Sequence, residues 1–273
     1  METVARSRTL RGPYTPCPYG AILGRVNPAS PIGRSGHGKP VSTPDGRWYM
    51  VYLCGRTVEG DTVMGRETAL DPLTWTADGW PIVQGLQGPS SLQQAPFPEQ
   101  HAQLLRDTEW FSPRNDPAAF TVTANDTLRL TCGDDPAALS PCSVLLRRQT
   151  EAAFHQQVTL DMTGAAMGSL AGITGYYDER SFFLYGLRRT ENGGELVLLE
   201  QEGEDRRESV LRDVSTLSVS LRVEGAGMHR RLILLEGAQQ TVLQELRTAY
   251  LADGGVQGGK RFTGATIGLA AIG

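Results

Sequence analysis

Along the chain, apolar residues alternate with polar ones or gather in short runs, and stretches with a 3.6-residue repeat are scarce. The pattern predicts strands rather than helices. Arg47-Trp48-Tyr49-Met50-Val51-Tyr52-Leu53 is aromatic and β-branched at successive positions, as in a strand covered on both faces. Before it, Thr43-Pro44-Asp45-Gly46 carries turn chemistry: Pro fixes φ, Asp bonds its own backbone and Gly tolerates positive φ. A second run, 62–70, follows Glu59-Gly60-Asp61 and completes an antiparallel pair.

From residue 85 the texture changes. Gly85-Leu86-Gln87-Gly88-Pro89-Ser90-Ser91 and Ala95-Pro96-Phe97-Pro98 follow neither period, so a linker is expected at 89–103, between regions 1–88 and 104–273. Beyond it, strand-like runs recur at 144–148, 154–162, 170–177, 182–188, 196–200, 217–223, 232–235, 241–246 and 265–269. Turn clusters such as Glu191-Asn192-Gly193-Gly194 separate several of them, which predicts a β-sandwich. Residues 239–251 also fit a helix. The first region sets Gly, Pro and aromatic residues around polar motifs, and chemistry is expected there.

Composition narrows the function. The 273 residues carry 26 basic and 30 acidic side chains, a net charge of −4, so no field attracts polyanions and no nucleic-acid partner is expected. A hydrophobic fraction of 40% excludes disorder. No apolar run approaches the roughly 20 residues of a membrane helix, so no membrane partner is expected. Met1-Glu2-Thr3-Val4-Ala5-Arg6-Ser7 has no apolar secretory core, which points to a cytoplasmic setting. Cys17, Cys54, Cys132 and Cys142 form no CxxC pair and have no zinc-like histidine spacing, so no metal site is expected from them. They read as packed thiols, with a Cys132–Cys142 disulfide as the alternative.

Five segments carry a resemblance. They are Ala5-Arg6-Ser7-Arg8-Thr9-Leu10-Arg11-Gly12-Pro13-Tyr14, Gly36-His37-Gly38-Lys39-Pro40-Val41, Trp48-Tyr49-Met50-Val51-Tyr52-Leu53, Gly65-Arg66-Glu67-Thr68-Ala69-Leu70 and Asp78-Gly79-Trp80-Pro81. In this order and spacing they resemble the last part of the catalytic domain of glycoside hydrolase family 43. Its β-xylosidases and α-L-arabinofuranosidases are built on a five-bladed β-propeller. Further on, Glu109-Trp110-Phe111 with Arg114-Asn115, Leu146-Arg147-Arg148-Gln149-Thr150, Gly175-Tyr176-Tyr177-Asp178 and Arg261-Phe262-Thr263-Gly264-Ala265 are similar to that family's concanavalin A-like C-terminal sandwich. The resemblance implies an all-β chain, a partial five-bladed β-propeller (its last blades) followed by a concanavalin A-like β-sandwich. It also implies one more sandwich strand past Gly273.

The family inverts at the anomeric carbon with three carboxylates: an Asp base, a Glu acid and a second Asp that tunes the acid. Inversion sets base and acid about 6.5–9.5 Å apart, leaving room for water. In the family pattern all three precede the Ala-Arg-Ser stretch, and no matching motif occurs here. The resemblance therefore implies a fragment without catalytic residues, inactive alone, that acts on xylo- or arabino-oligosaccharides from hemicellulose. The missing N-terminal half would be its partner. A non-catalytic carbohydrate-binding sandwich protein and one half of a split glycosidase are the alternatives.

Three substrate-binding positions carry over. Arg66 matches the arginine that reaches the sugar in the −1 subsite, where its fork donates paired hydrogen bonds. His37 matches the histidine near the propeller axis. No cofactor is expected, although a central calcium near His37 belongs to what the resemblance implies. The family shows Gly-His-Ala here, and Gly38 is expected to leave the backbone looser. Phe262 lies in the segment from which the sandwich sends an aromatic residue toward the pocket. Relatives continue Phe-Thr-Gly-Ala-Phe; Thr266 stands at the last position, so this chain lacks the closing ring if the second aromatic supplies it. Glu67 is expected to be a charged neighbour of Arg66 on the opposite strand face. Trp48, Trp75 and Trp80 are expected in the blade core, and His101, His155 and His229 to be structural or exposed.

Overall fold

The computed structural model describes residues 1–24, 30–83, 89, 110–125, 127–257 and 262–273. The chain divides into two units, Met1–Phe97 and Pro98–Gly273. Of the expected linker, only Pro89 is among the described residues, and His101, Glu109 and Arg261 lie outside them. No helix among the described residues is long and apolar enough to cross a membrane.

In the first unit, β1 (Ala5–Arg6) pairs with β2 (Thr15–Pro16). β3 (Ile32–Ser42), β4 (Trp48–Arg56), β5 (Glu67–Trp75) and β6 (Pro81–Val83) form an antiparallel sheet in that order. The β3–β4 turn is the expected one. Gly46 sits at φ 83°, its N–H donates to the Thr43 carbonyl at 2.9 Å, and Arg47 Nε donates to Asp45 at 2.8 Å. A similar turn joins β5 to β6, where Thr76 Oγ1 donates to Asp78 at 2.6 Å and accepts the Trp80 N–H at 2.8 Å.

β5 begins at Glu67, five residues into the run expected at 62–70. Val63 and Met64 are buried but lie in a loop, because Asp61 caps the Thr62 N–H at 2.7 Å and Gly65 turns the chain at φ 74°. Burial made a loop look like a strand. On β4, Met50, Tyr52 and Cys54 point to one face and meet Ala69, Asp71 and Leu73 of β5. Cys17, Ile22 and Leu23 complete that core, and the Tyr52 hydroxyl donates to the fully buried Asp71. The other face of β4 departs from expectation: Tyr49, Val51 and Leu53 are only half-buried.

The second unit is a sandwich of antiparallel sheets. Its strands are β9 (Ser143–Arg148), β10 (Ala153–Asp161), β11 (Leu170–Asp178), β12 (Ser181–Thr190), β13 (Gly193–Glu202), β14 (Asp205–Val214), β15 (Ser218–Ala226), β16 (His229–Glu236), β17 (Gln239–Arg247) and β18 (Thr266–Ile272). A hairpin of β7 (Thr121–Ala124) and β8 (Thr127–Leu130) precedes them. One sheet runs β14-β13-β12-β11-β18-β9 and the other β10-β15-β16-β17. The continuous apolar run of β12 is buried on both faces. Phe182 and Leu184 pack with Val197, Leu199, Leu146 and Cys142.

The stretch 239–251, open to a helical reading, is a strand to Arg247 and then a single 3-10 turn, Ala249–Leu251. All four cysteines are free thiols, with no Cys132–Cys142 disulfide.

Candidate functional site

The distinctive backbone of the first unit lies in β3. Its pairing with β4 breaks register between Gly33 and Gly36 and again between Gly36 and Lys39. Inside the second break His37 takes φ 61°, a left-handed conformation uncommon for a residue with a Cβ. The bulge turns the imidazole outward, and His37 is exposed.

Gly38 is not loose, contrary to the expectation drawn from its difference from the family. It is buried, its N–H donates to the Glu2 carboxylate, and a Cβ there would stand 2.6 Å from Met50 Sδ. Met50 occupies the space a larger residue would need.

Arg66 is half-buried in the residue between Gly65 and β5. Next to it, Glu67 is held in a fork by Arg56, with Nε to Oε2 at 2.8 Å and Nη2 to Oε1 at 2.9 Å. Both carboxylate oxygens are engaged, so Glu67 serves as a charge partner and not as a proton donor to a leaving group. Cys54 lies opposite Glu67 on β4. Burial, then the charge of Glu67, push its thiol up to about 11, while Arg56 and Arg66 pull it back.

The register places His37 at the middle of β3 and Arg66 just ahead of β5, two strands away. Gly36 stands opposite Leu53, and Leu53 opposite Thr68. Two strand spacings, about 10 Å, separate the outer members of that row. His37 follows Gly36 by one residue and Arg66 precedes Thr68 by two. Both side chains, an exposed imidazole and a half-buried guanidinium, can donate hydrogen bonds to hydroxyl oxygens. Glu2 is the member that sequence reasoning missed, because its link to Gly38 spans 36 positions and follows no motif.

Calcium takes six to eight oxygen ligands. One imidazole, with the nearby Glu2 carboxylate committed to a backbone N–H, does not make such a set, and among the described residues no three His, Cys, Asp or Glu side chains converge on a metal position.

Phe262 belongs to the second unit, just before β18, and is 53% exposed. The Arg148 guanidinium donates to the Thr263 carbonyl beside it at 3.1 Å. Trp80 is in the core as expected, under Arg6, whose guanidinium lies 4.1 Å from the ring centroid. Trp48 and Trp75 are not. They sit at the end of the sheet where β4 starts and β5 stops, 36% and 45% exposed, in edge-to-face contact at 5.4 Å. Their side of the sheet is the core side, but the N-terminal cover stops short of them. His155 and His229 are exposed on the rim of a shallow groove in the four-stranded sheet.

The comparisons agree with this architecture. The family model described as glycosyl hydrolases family 43 matches residues 1–81, and that of the β-xylosidase C-terminal concanavalin A-like domain matches residues 105–273. A xylosidase/arabinosidase 43B from Humicola insolens is 28% identical, aligned over 98% of this chain and 55% of its own length. A non-reducing end α-L-arabinofuranosidase, BoGH43B from Bacteroides ovatus, is 44% identical over 84 residues, 30% of this chain and 16% of that protein. The crystal structure of the GH43 protein BlXynB from Bacillus licheniformis superposes with a TM-score of 0.81 at 30% identity, covering 99% of this chain and 56% of that one. The chain spans about half the length of the curated relatives it matches over its full extent. With a four-stranded propeller blade at one end, a concanavalin A-like sandwich at the other, and both family models matched in that order, the chain belongs to glycoside hydrolase family 43.

Proposed function

We propose that this chain forms the sugar-facing last blade and the accessory sandwich of an inverting β-xylosidase or α-L-arabinofuranosidase. Xylo- or arabino-oligosaccharides would be its substrates. The observation that carries this is the presence of Arg66 and His37 on a single blade, both able to donate to sugar oxygens. General acid and base would come from carboxylates outside these 273 residues, since none of the family's three carboxylate motifs occurs here.

The half-buried row Tyr49, Val51 and Leu53, continued by Leu70 and Pro72 on β5, supports docking of a further blade on this face. That blade would be the partner that supplies the carboxylates.

The test assays the chain on nitrophenyl β-xyloside and α-L-arabinofuranoside, alone and mixed with a polypeptide carrying the family's carboxylate blades. The chain alone gives no turnover. The mixture gives turnover that Arg66→Ala reduces by at least about 100-fold, the scale of a lost charge-assisted contact in the transition state. Robust turnover by the chain alone, abolished in Arg66→Ala, overturns the assignment of acid and base to another segment.

A further inference from the structure

We propose that Glu2 is a positioning residue that holds His37 in its left-handed bulge. This deepens the function proposed above and rests on the reading of His37 as a sugar-facing side chain.

The bulge needs a clamp for two reasons. A non-glycine residue in this region is strained and persists only where its surroundings over-determine it. A register break also takes backbone donors out of the ladder, and each must find another acceptor. The Glu2 carboxylate answers both needs. It accepts the N–H of Gly38, the residue directly after His37, in a charge-assisted hydrogen bond.

Glu2 is itself fixed. Its N–H donates to the Leu23 carbonyl at 2.9 Å, and its carbonyl accepts from the Ile22 N–H at 3.0 Å. Ile22 and Leu23 belong to the blade core, so the carboxylate is anchored to the same body that carries β4 and β5. The fit at residue 38 is tight on the same side: an ideal Cβ would lie 3.1 Å from Glu2 Oε2. Gly38 and Glu2 are therefore matched, the glycine allowing the close approach and the carboxylate exploiting it. His37 is pinned between a register break on one side and this bond on the other.

The test uses the full 273-residue chain with Glu2→Gln, Glu2→Ala and His37→Ala. Nuclear magnetic resonance follows the Gly38 amide and the His37 imidazole, the latter assigned by its loss in His37→Ala. Calorimetry with xylobiose and arabinose follows binding. In Glu2→Ala the Gly38 amide moves upfield, the His37 ring signals shift and broaden, and sugar binding weakens about tenfold, as in His37→Ala. Glu2→Gln keeps an acceptor oxygen and restores most of both. If Glu2→Ala does not fold, the Gly38 amide in Glu2→Gln still decides, because exchanging a charged acceptor for a neutral one moves it.

Gly38 and His37 signals unchanged in both Glu2 variants overturn the clamp. Shifted signals with sugar binding equal in parent, Glu2→Ala and His37→Ala, or with a parent that binds neither sugar, uphold the clamp and overturn the sugar-facing reading of His37 instead.

Discussion

Arg230 offers a sharp test of how the sandwich is held together. Its side chain is 1% exposed, on β16. The guanidinium donates to the carbonyls of Gly227 at 2.8 Å and His229 at 2.9 Å, and to Gln149 Oε1 at 3.1 Å. It also lies 5.0 Å from the centroid of the Phe154 ring. Arg230→Met keeps most of the apolar stem but takes the donor from three acceptors at once. Each such bond from a charged donor contributes about 1.5–3 kcal/mol, and relief of the buried cation's desolvation returns several kcal/mol. The net loss expected is about 3 kcal/mol, the lower end of the range for breaking a buried charged network. Hydrogen exchange of the amides of β12 and β13, interior strands of the larger sheet, is the assay. Protection should fall by about 100-fold, and Arg230→Lys, which keeps charge but loses the fork, should fall between. Protection in Arg230→Met within about fivefold of the parent refutes the reasoning, and would mean that the guanidinium offsets only its own burial.

Two further outcomes follow from local geometry. Gly38→Ala places a methyl group against Met50 Sδ, the far part of a flexible side chain, so the blade loses about 1 kcal/mol, and Met50→Ala in the same chain should remove that penalty in a double-mutant cycle of urea midpoints. Hydrogen bonds from Arg188, at 2.8 and 2.6 Å, hold the Glu208 carboxyl below its ordinary range; the contribution is complete above the ordinary glutamate range and is lost as pH falls through the lowered value, so Glu208→Gln should be less stable at pH 7 by up to about 1 kcal/mol, and the difference should shrink as the pH is taken below that range.

Strands whose covering lies within the sandwich were legible in the sequence. β12 was expected as a strand at 182–188 and is one, buried on both faces because sheet and flanking segment both belong to the same unit. β14 was missed. Its sequence, Asp205-Arg206-Arg207-Glu208-Ser209-Val210-Leu211-Arg212-Asp213-Val214, is charged and mostly exposed, since it is the edge strand of its sheet and hydrogen bonds rather than apolar burial place it. β3 was missed for a related reason: bulges around Gly36 and His37 break the period on which such reading depends. At the site, the motifs named Arg66 and His37, yet neither the positive φ of His37 nor Glu2 beneath it has a local signature. Trp48 and Trp75 misled because an aromatic residue in a strand signals a face that packs, not what packs on it.

The strand order sets a timetable for synthesis. β18, latest of the strands in the chain, is inserted between β11 and β9 in the middle of its sheet. β9 pairs in that sheet with β18 alone, so Leu146 waits for Gly268 before its ladder can close. A nascent chain can assemble β11 to β14 hairpin by hairpin as each emerges from the ribosome, but β9 and the Phe111 segment bridged to it stay without their sheet until residue 272 is clear. A ribosome stalled short of β18 would present an open sheet edge to chaperones.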